Sequence, residues 1–133
     1  MCLIIQNGIN ESVVTGIHHF SLIAGSRKAV HFYEDLGFLI RKEIIRAYDT
    51  VVLMEGYGVG LELFIDPRHP RREANEPLGL RCISLSVDDI DKAAKQWQIP
   101  SDQIKTDWSG DRYFNITDPD GNTVQLHADK CNE

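Results

Sequence analysis

No apolar run in the chain approaches the roughly 20 residues that a helix needs to span a bilayer. Basic charge is also scarce: 14 Lys and Arg face 20 Asp and Glu, a net charge of −6. That balance argues against a nucleic-acid or anionic-membrane surface, either of which needs a basic patch. Only three cysteines occur (Cys2, Cys82 and Cys131), widely spaced and without a Cys-x-x-Cys pair. An odd, scattered set argues against a disulfide framework and leads us to expect a reduced, cytoplasmic setting. The first eight residues lack the basic and long apolar segments of a signal peptide. With 42% apolar and 26% charged residues in 133, fibrous and broadly disordered readings fall away, and one domain's worth of chain remains.

The pattern along that chain predicts a mixed α+β fold. Ile17 to Ala24 reads as a strand, with Ser26 as the N-cap of a helix carrying Ala29, Val30, Phe32, Tyr33 and Leu36, stopped by Gly37. Strands follow at Phe38 to Arg46, Val51 to Glu55 and Gly60 to Ile65, separated by turns at Ala47-Tyr-Asp49 and Gly56-Tyr-Gly58. Residues 66–79, with three prolines and little apolar content, read as a linker. Then the order restarts. Arg81 to Val87 is a strand, and Asp88 or Asp89 caps a helix with Ile90, Ala93, Ala94 and Trp97 on one stripe. A weak strand near Ile104 precedes a hairpin, Tyr113 to Thr117 and Thr123 to Ala128, turned by Asp118-Pro-Asp-Gly121.

A shift of 63 residues superposes the two halves without a gap. Phe20-Ser-Leu22 falls on Ile83-Ser-Leu85, Gly58 on Gly121, and Leu61-Glu-Leu63 on Val124-Gln-Leu126. Agreement at both ends of the unit indicates a structural duplication. The predicted organisation is an extension over 1–15, a single domain over 16–128 and a tail over 129–133. The domain comprises modules 16–65 and 80–128 joined by the linker 66–79.

Side chains alternate across a strand, so each strand sorts into two faces. Phe20, Leu22, Ala24, Leu61, Leu63, Ile83, Leu85, Phe114, Ile116, Val124 and Leu126 fall on an apolar face suited to the two helices. The opposite face carries His19, Ser21, Glu62, Cys82, Ser84, Tyr113, Asn115, Gln125 and His127. Imidazole and carboxylate together suit a divalent metal; a solvated sheet face is the plain alternative.

Five segments in order resemble the vicinal oxygen chelate superfamily. They are Ile17-His-His-Phe-Ser-Leu-Ile-Ala24, His31-Phe-Tyr-Glu-Asp-Leu-Gly-Phe38, Gly60-Leu-Glu-Leu-Phe64, Gly79-Leu-Arg-Cys-Ile-Ser-Leu-Ser-Val-Asp-Asp-Ile90 and Asp118-Pro-Asp-Gly-Asn-Thr-Val-Gln-Leu126. The superfamily includes glyoxalase I, bleomycin- and fosfomycin-resistance proteins, methylmalonyl-CoA epimerase and extradiol dioxygenases. The resemblance implies two βαβββ modules forming an incomplete barrel around a metal cleft, in a homodimer. Its ligand positions, on the first and fourth strands of each module, fall here on His19, Glu62, Cys82 and Gln125. Cys82 stands where a His is usual, and is either a thiolate ligand or a small packed thiol. Gln125 stands where a Glu is usual; its carbonyl oxygen can ligate but cannot take a proton.

Two functions follow as expectations. One is a glyoxalase-like metalloenzyme in which Zn, Ni or Mn, held by His19, Glu62, Gln125 and Cys82 or water, chelates vicinal oxygens and stabilises an enediolate, with Glu62 as base. The other is a metal-free binder of drug-like small molecules, of the bleomycin-resistance type. Ser21, Ser84, Tyr113 and Asn115 are the expected substrate contacts. Among the remaining groups, His18 is expected on the core side, while His31 and His69 are expected in solvent. His127 is an extra ligand or a rim residue. Arg68, Arg71 and Arg72 either steer an anionic substrate or are solvated, and Trp97 and Trp108 are expected in packing. No nucleic-acid or membrane partner is expected.

Overall fold

A computed structural model of the chain describes residues 16–70 and 80–128. The expected extension 1–15, most of the linker and the tail 129–133 lie outside those residues, as do Arg71, Arg72, Cys2 and Cys131. Among the described residues, eight strands and two α-helices follow one another as β1 (His19–Ala24), α1 (Lys28–Asp35), β2 (Leu39–Ile45), β3 (Thr50–Gly56), β4 (Val59–Ile65), β5 (Ile83–Ser86), α2 (Ile90–Gln96), β6 (Lys105–Thr106), β7 (Arg112–Thr117) and β8 (Thr123–Ala128). They make two four-stranded mixed sheets, ordered β1-β4-β3-β2 and β5-β8-β7-β6, so the βαβββ arrangement occurs twice. Neither sheet closes on itself as a barrel. No helix among the described residues is long and apolar enough to cross a membrane.

Each module turns on one parallel pair. A parallel neighbour requires a crossover, which α1 and α2 provide together with the later strands. β1 lies beside β4 with Ser21 opposite Glu62, and β5 lies beside β8 with Ser84 opposite Gln125, the same pairing 63 residues on. The remaining neighbours, β2 with β3, β3 with β4, β6 with β7 and β7 with β8, are antiparallel.

The alternation of side chains decides what is buried. Leu61 and Leu63 on β4, Phe114 on β7, and Val124 and Leu126 on β8 are buried, whereas Glu62, Gln125 and His127 between them are half-exposed. Helix α1 buries Ala29, Val30 and Tyr33, and α2 buries Ile90, Ala93 and Ala94. Of the two expected cap residues of α2, Asp89 caps, accepting from the Asp91 and Lys92 N–H groups at 3.1 Å each. At α1, the Ser26 hydroxyl accepts from the Lys28 N–H at 3.2 Å, one residue ahead of the position that borders the helix. The end of α1 is locked from another direction. Tyr33, Phe38 and Tyr57 stack edge to face in series, and the Tyr57 hydroxyl donates to the Leu36 carbonyl. Gly37 has φ +106, and a Cβ there would strike that hydroxyl, so only glycine fits.

At the end of β4 the structure revises one expectation. Arg68 is no free steering charge: its guanidinium forks onto Asp66, Nε to Oδ1 at 2.8 Å and Nη2 to Oδ2 at 2.7 Å. Two side-chain nitrogens match the two carboxylate oxygens within a two-residue reach, and the buried carboxylate needs that charge beside it. His69, also exposed as expected, adds a longer contact to the same carboxylate at 3.5 Å. These bonds, Arg68's first, hold the Asp66 carboxyl well below the usual range. A carboxyl held below its unfolded value of about 3.9 stabilises the fold fully above that value and ceases to as pH falls through its folded value. Asp66→Asn is therefore expected to melt lower than wild type at neutral pH, and to lose less of its stability on acidification. Thermal denaturation from neutral pH down to about pH 2 checks this; parallel curves for the two proteins would contradict it.

Candidate functional site

In the first module, the register of β1 on β4 brings the expected imidazole and carboxylate together. His19 Nε2 lies 2.7 Å from Glu62 Oε2, with both side chains about a quarter to a third exposed (34% and 23%). Gly60, directly opposite His19, makes the approach feasible. A Cβ at Gly60 would stand 3.0 Å from both the His18 carbonyl oxygen and the His19 Cβ. Ser21, an expected substrate contact, is exposed and sits opposite Glu62 in the register.

His18 is not on the core side. It is exposed, and its Nδ1 lies 2.7 Å from Nδ1 of His19, the rings edge to face. The strand begins at His19, so the alternation that sorts faces does not extend back to His18. This contact matters to the chemistry. One Nδ1 must donate and the other accept. If His18 donates, His19 carries its proton on Nε2 and gives it to Glu62. If His19 donates, its Nε2 presents a lone pair, which would repel the carboxylate unless a proton or cation stood with them. His18 can partner either tautomer, so the pair suits both a hydrogen-bonded state and a ligating one. These residues, with Arg41, Met54 and Glu55, border a hollow of about 340 Å³.

The second module holds Gln125 where the first has Glu62, and Ser84 where the first has Ser21. The Ser84 hydroxyl donates to Gln125 Oε1 at 3.1 Å, and Gln125 Nε2 donates to Asn115 Oδ1 at 3.4 Å. Three of the residues picked out by alternation thus form a ladder across β5, β8 and β7. Tyr113 faces the same way, its ring stacked 6.4 Å from that of His127. Cys82 is a half-exposed free thiol immediately before β5.

Beside that ladder lies a group not anticipated as a set. Asp107 and Asp111 flank the β6–β7 turn, and His127 Nε2 is 3.2 Å from Asp107 Oδ2 and 3.5 Å from Asp111 Oδ2. The Ser109 hydroxyl, with His127 and backbone N–H groups, holds the Asp107 carboxyl down at about 2 despite partial burial. A signal was present: two aspartates four apart around Ser-Gly mark a tight turn, which returns both to the strand beside β8. Trp108, expected in loop packing, is instead 97% exposed at the tip of this turn, where the neighbouring carboxylates face inward. Trp97 is half-buried at the end of α2, and His31 is exposed, as expected.

The duplicated βαβββ topology and the His19–Glu62 pair define a vicinal-oxygen-chelate type of protein, and comparison with known proteins agrees. The chain belongs to the Glyoxalase/Bleomycin resistance protein/Dioxygenase superfamily, whose family model matches residues 16–126. It is 32% identical over 122 residues to the uncharacterized protein YaeR of Escherichia coli (strain K12), a match covering 84% of this chain and 94% of that one. Among solved structures it is similar to the glyoxalase family protein of Enterococcus faecalis, with TM-score 0.73 and 28% identity over 84% of this chain and 96% of the other. It is also similar to TnmS3, an antibiotic binding protein from Streptomyces sp. CB03234, with TM-score 0.60 and 25% identity over 89% and 98% of the two chains.

The geometry at Gly60 yields a direct expectation. Gly60→Ala should push the His19 backbone off β4, cost about 1–3 kcal/mol of stability, and lengthen the His19–Glu62 contact. Thermal denaturation and the imidazole resonances of His19 report on each; an unchanged melting point with unchanged resonances would contradict it.

Proposed function

We propose that the protein is a glyoxalase-like metal-dependent enzyme acting on a small substrate with vicinal oxygens. The observation that carries this reading is the His19–Glu62 pair, a nitrogen and an oxygen donor 2.7 Å apart, with His18 behind the imidazole. Such a donor set fits Zn, Ni or Mn. His19 and Glu62 would hold the ion, and the family resemblance adds Gln125 and Cys82 as the remaining ligands of this proposal. The ion would supply Lewis-acid stabilisation of negative charge on the substrate's oxygens. The chain's own groups do the rest. Glu62 takes and returns a proton at its carboxylate, His18 keeps the His19 ring oriented, and Ser21, Ser84, Tyr113 and Asn115 contact substrate. A homodimer belongs to the same proposal, with the exposed apolar side chains Leu39, Ile40, Ile44 and Ile45 of the edge strand β2 as the surface a second copy would cover.

A second reading is favoured by one observation: Gln125 Oε1 already accepts from Ser84, and no ionisable group stands on that ladder. A neutral ladder suits a sequestering protein that binds a drug-like molecule without metal, the kind of activity printed for TnmS3.

Calorimetric titration of apo-protein with Zn²⁺, Ni²⁺ and Mn²⁺ separates the two. The enzyme reading expects uptake that weakens at least about tenfold in His19→Ala and in Glu62→Gln. Uptake indifferent to both substitutions ends it, and metal-free protein stabilised by drug-like ligands supports the second reading. Restoring the usual ligands with Cys82→His and Gln125→Glu should raise metal affinity at least tenfold, about 1.4 kcal/mol, because an imidazole and a carboxylate replace a thiol and an amide. Equal or weaker affinity in the double variant would rule out a site impaired by those two residues.

A further inference from the structure

The group at the β6–β7 turn lies outside the His19–Glu62 reading and shares no ligand with it. We propose that Asp107, Asp111 and His127 form a second divalent-cation site, contained within the second module. The donors are one imidazole nitrogen and two carboxylate oxygens, and all three ligand atoms lie within 4.8 Å of one another. His127 Nε2 is 3.2 and 3.5 Å from the two oxygens. Two donors each about 2.1 Å from a tetrahedral ion stand about 3.4 Å apart, so the two imidazole–carboxylate spacings need little adjustment.

The surroundings help to place two of the three donors. Asp107 Oδ1 accepts from the Ser109 N–H at 2.8 Å, the Ser109 hydroxyl at 2.7 Å and the Asp111 N–H at 3.1 Å, which leaves Oδ2 turned to the imidazole. The Tyr113 ring lies beside that of His127, with centroids 6.4 Å apart and 27° between the ring planes. A carboxylate anchored through one oxygen, with the other turned to an imidazole, is what a ligating pair requires. The donors come from two elements, the turn and β8, so the fold and not local sequence assembles them. The duplication underlines this, because the position equivalent to His127 in the first module is Phe64, which cannot ligate. Three protein ligands on a half-exposed surface leave a coordination position for solvent or a substrate oxygen.

Zn²⁺ is the probe, and Trp108, between two of the ligands and 97% exposed, is the reporter. Trp97 is the other of the two tryptophans, so a Trp97→Phe background isolates the signal. Zn²⁺ titration by calorimetry and Trp108 emission is run on this background and on two derivatives. The first, His19→Ala with Glu62→Gln, removes the pair on which the proposed function rests; the second carries Asp111→Asn. We expect the first derivative still to bind one Zn²⁺ per chain with a change in Trp108 emission. Asp111→Asn, which keeps the size of the side chain, should lose that change and weaken this equivalent at least about tenfold. Thermal melts confirm that both derivatives fold, and His127→Gln serves if Asp111→Asn does not. The proposal is overturned if the first derivative takes up no Zn²⁺, or if Asp111→Asn and His127→Gln bind as the background does. Zn²⁺ uptake by the first derivative with no uptake attributable to His19 and Glu62 would sink the proposed function while leaving this site standing.

Discussion

The parallel pairing of a module's first strand with its last is the constraint on which everything else rests. In a parallel pair, side chains on one face stand in a fixed register, and a slip of one residue would send every one of them to the other face. With Ser21 opposite Glu62, the next residue along the same face of β1 is His19, close enough for its ring to reach the carboxylate. With Ser84 opposite Gln125, the hydroxyl reaches the amide oxygen. The buried side of the same strands holds the register in place. Leu61, Leu63, Val124 and Leu126 would all be turned into water by the slip that separates these polar partners.

On that common frame the two modules have diverged in charge. The first keeps an imidazole against a carboxylate, with a second imidazole behind it. The second has Cys82 where the first has His19 and Gln125 where the first has Glu62, and its Gln125 sits in a ladder of hydroxyl and amides with Ser84 and Asn115. One step further along β8, His127 meets Asp107 and Asp111. The difference arises from few residues, because a duplicated backbone offers the same set of face positions twice and each can be refilled independently.

The period-2 pattern was legible because one face of each sheet is apolar and must be buried, so Phe114, Val124 and Leu126 announce their side without any long-range information. Asp89 was legible as a cap for a similar reason, since its bonds reach only two and three residues along the chain. Where a residue lies just outside a strand, as His18 does, the periodicity has no authority. Charge composition likewise says nothing about pairing. Arg68 reads as one of a basic run, but its partner Asp66 is buried two residues away and claims it.

From the sequence alone follow the strands, the two helices, the duplication by 63 residues, the polar face and the resemblance that names His19, Glu62, Cys82 and Gln125. All but the resemblance depend on local periodicity and spacing. Tertiary structure alone decided which of those groups touch. It set the His19 ring between Glu62 and His18, tied Gln125 to Ser84 and Asn115, and carried His127 to two aspartates 16 and 20 residues earlier. Such contacts depend on register and on the path of a turn, and neither is written in the residue types that make them.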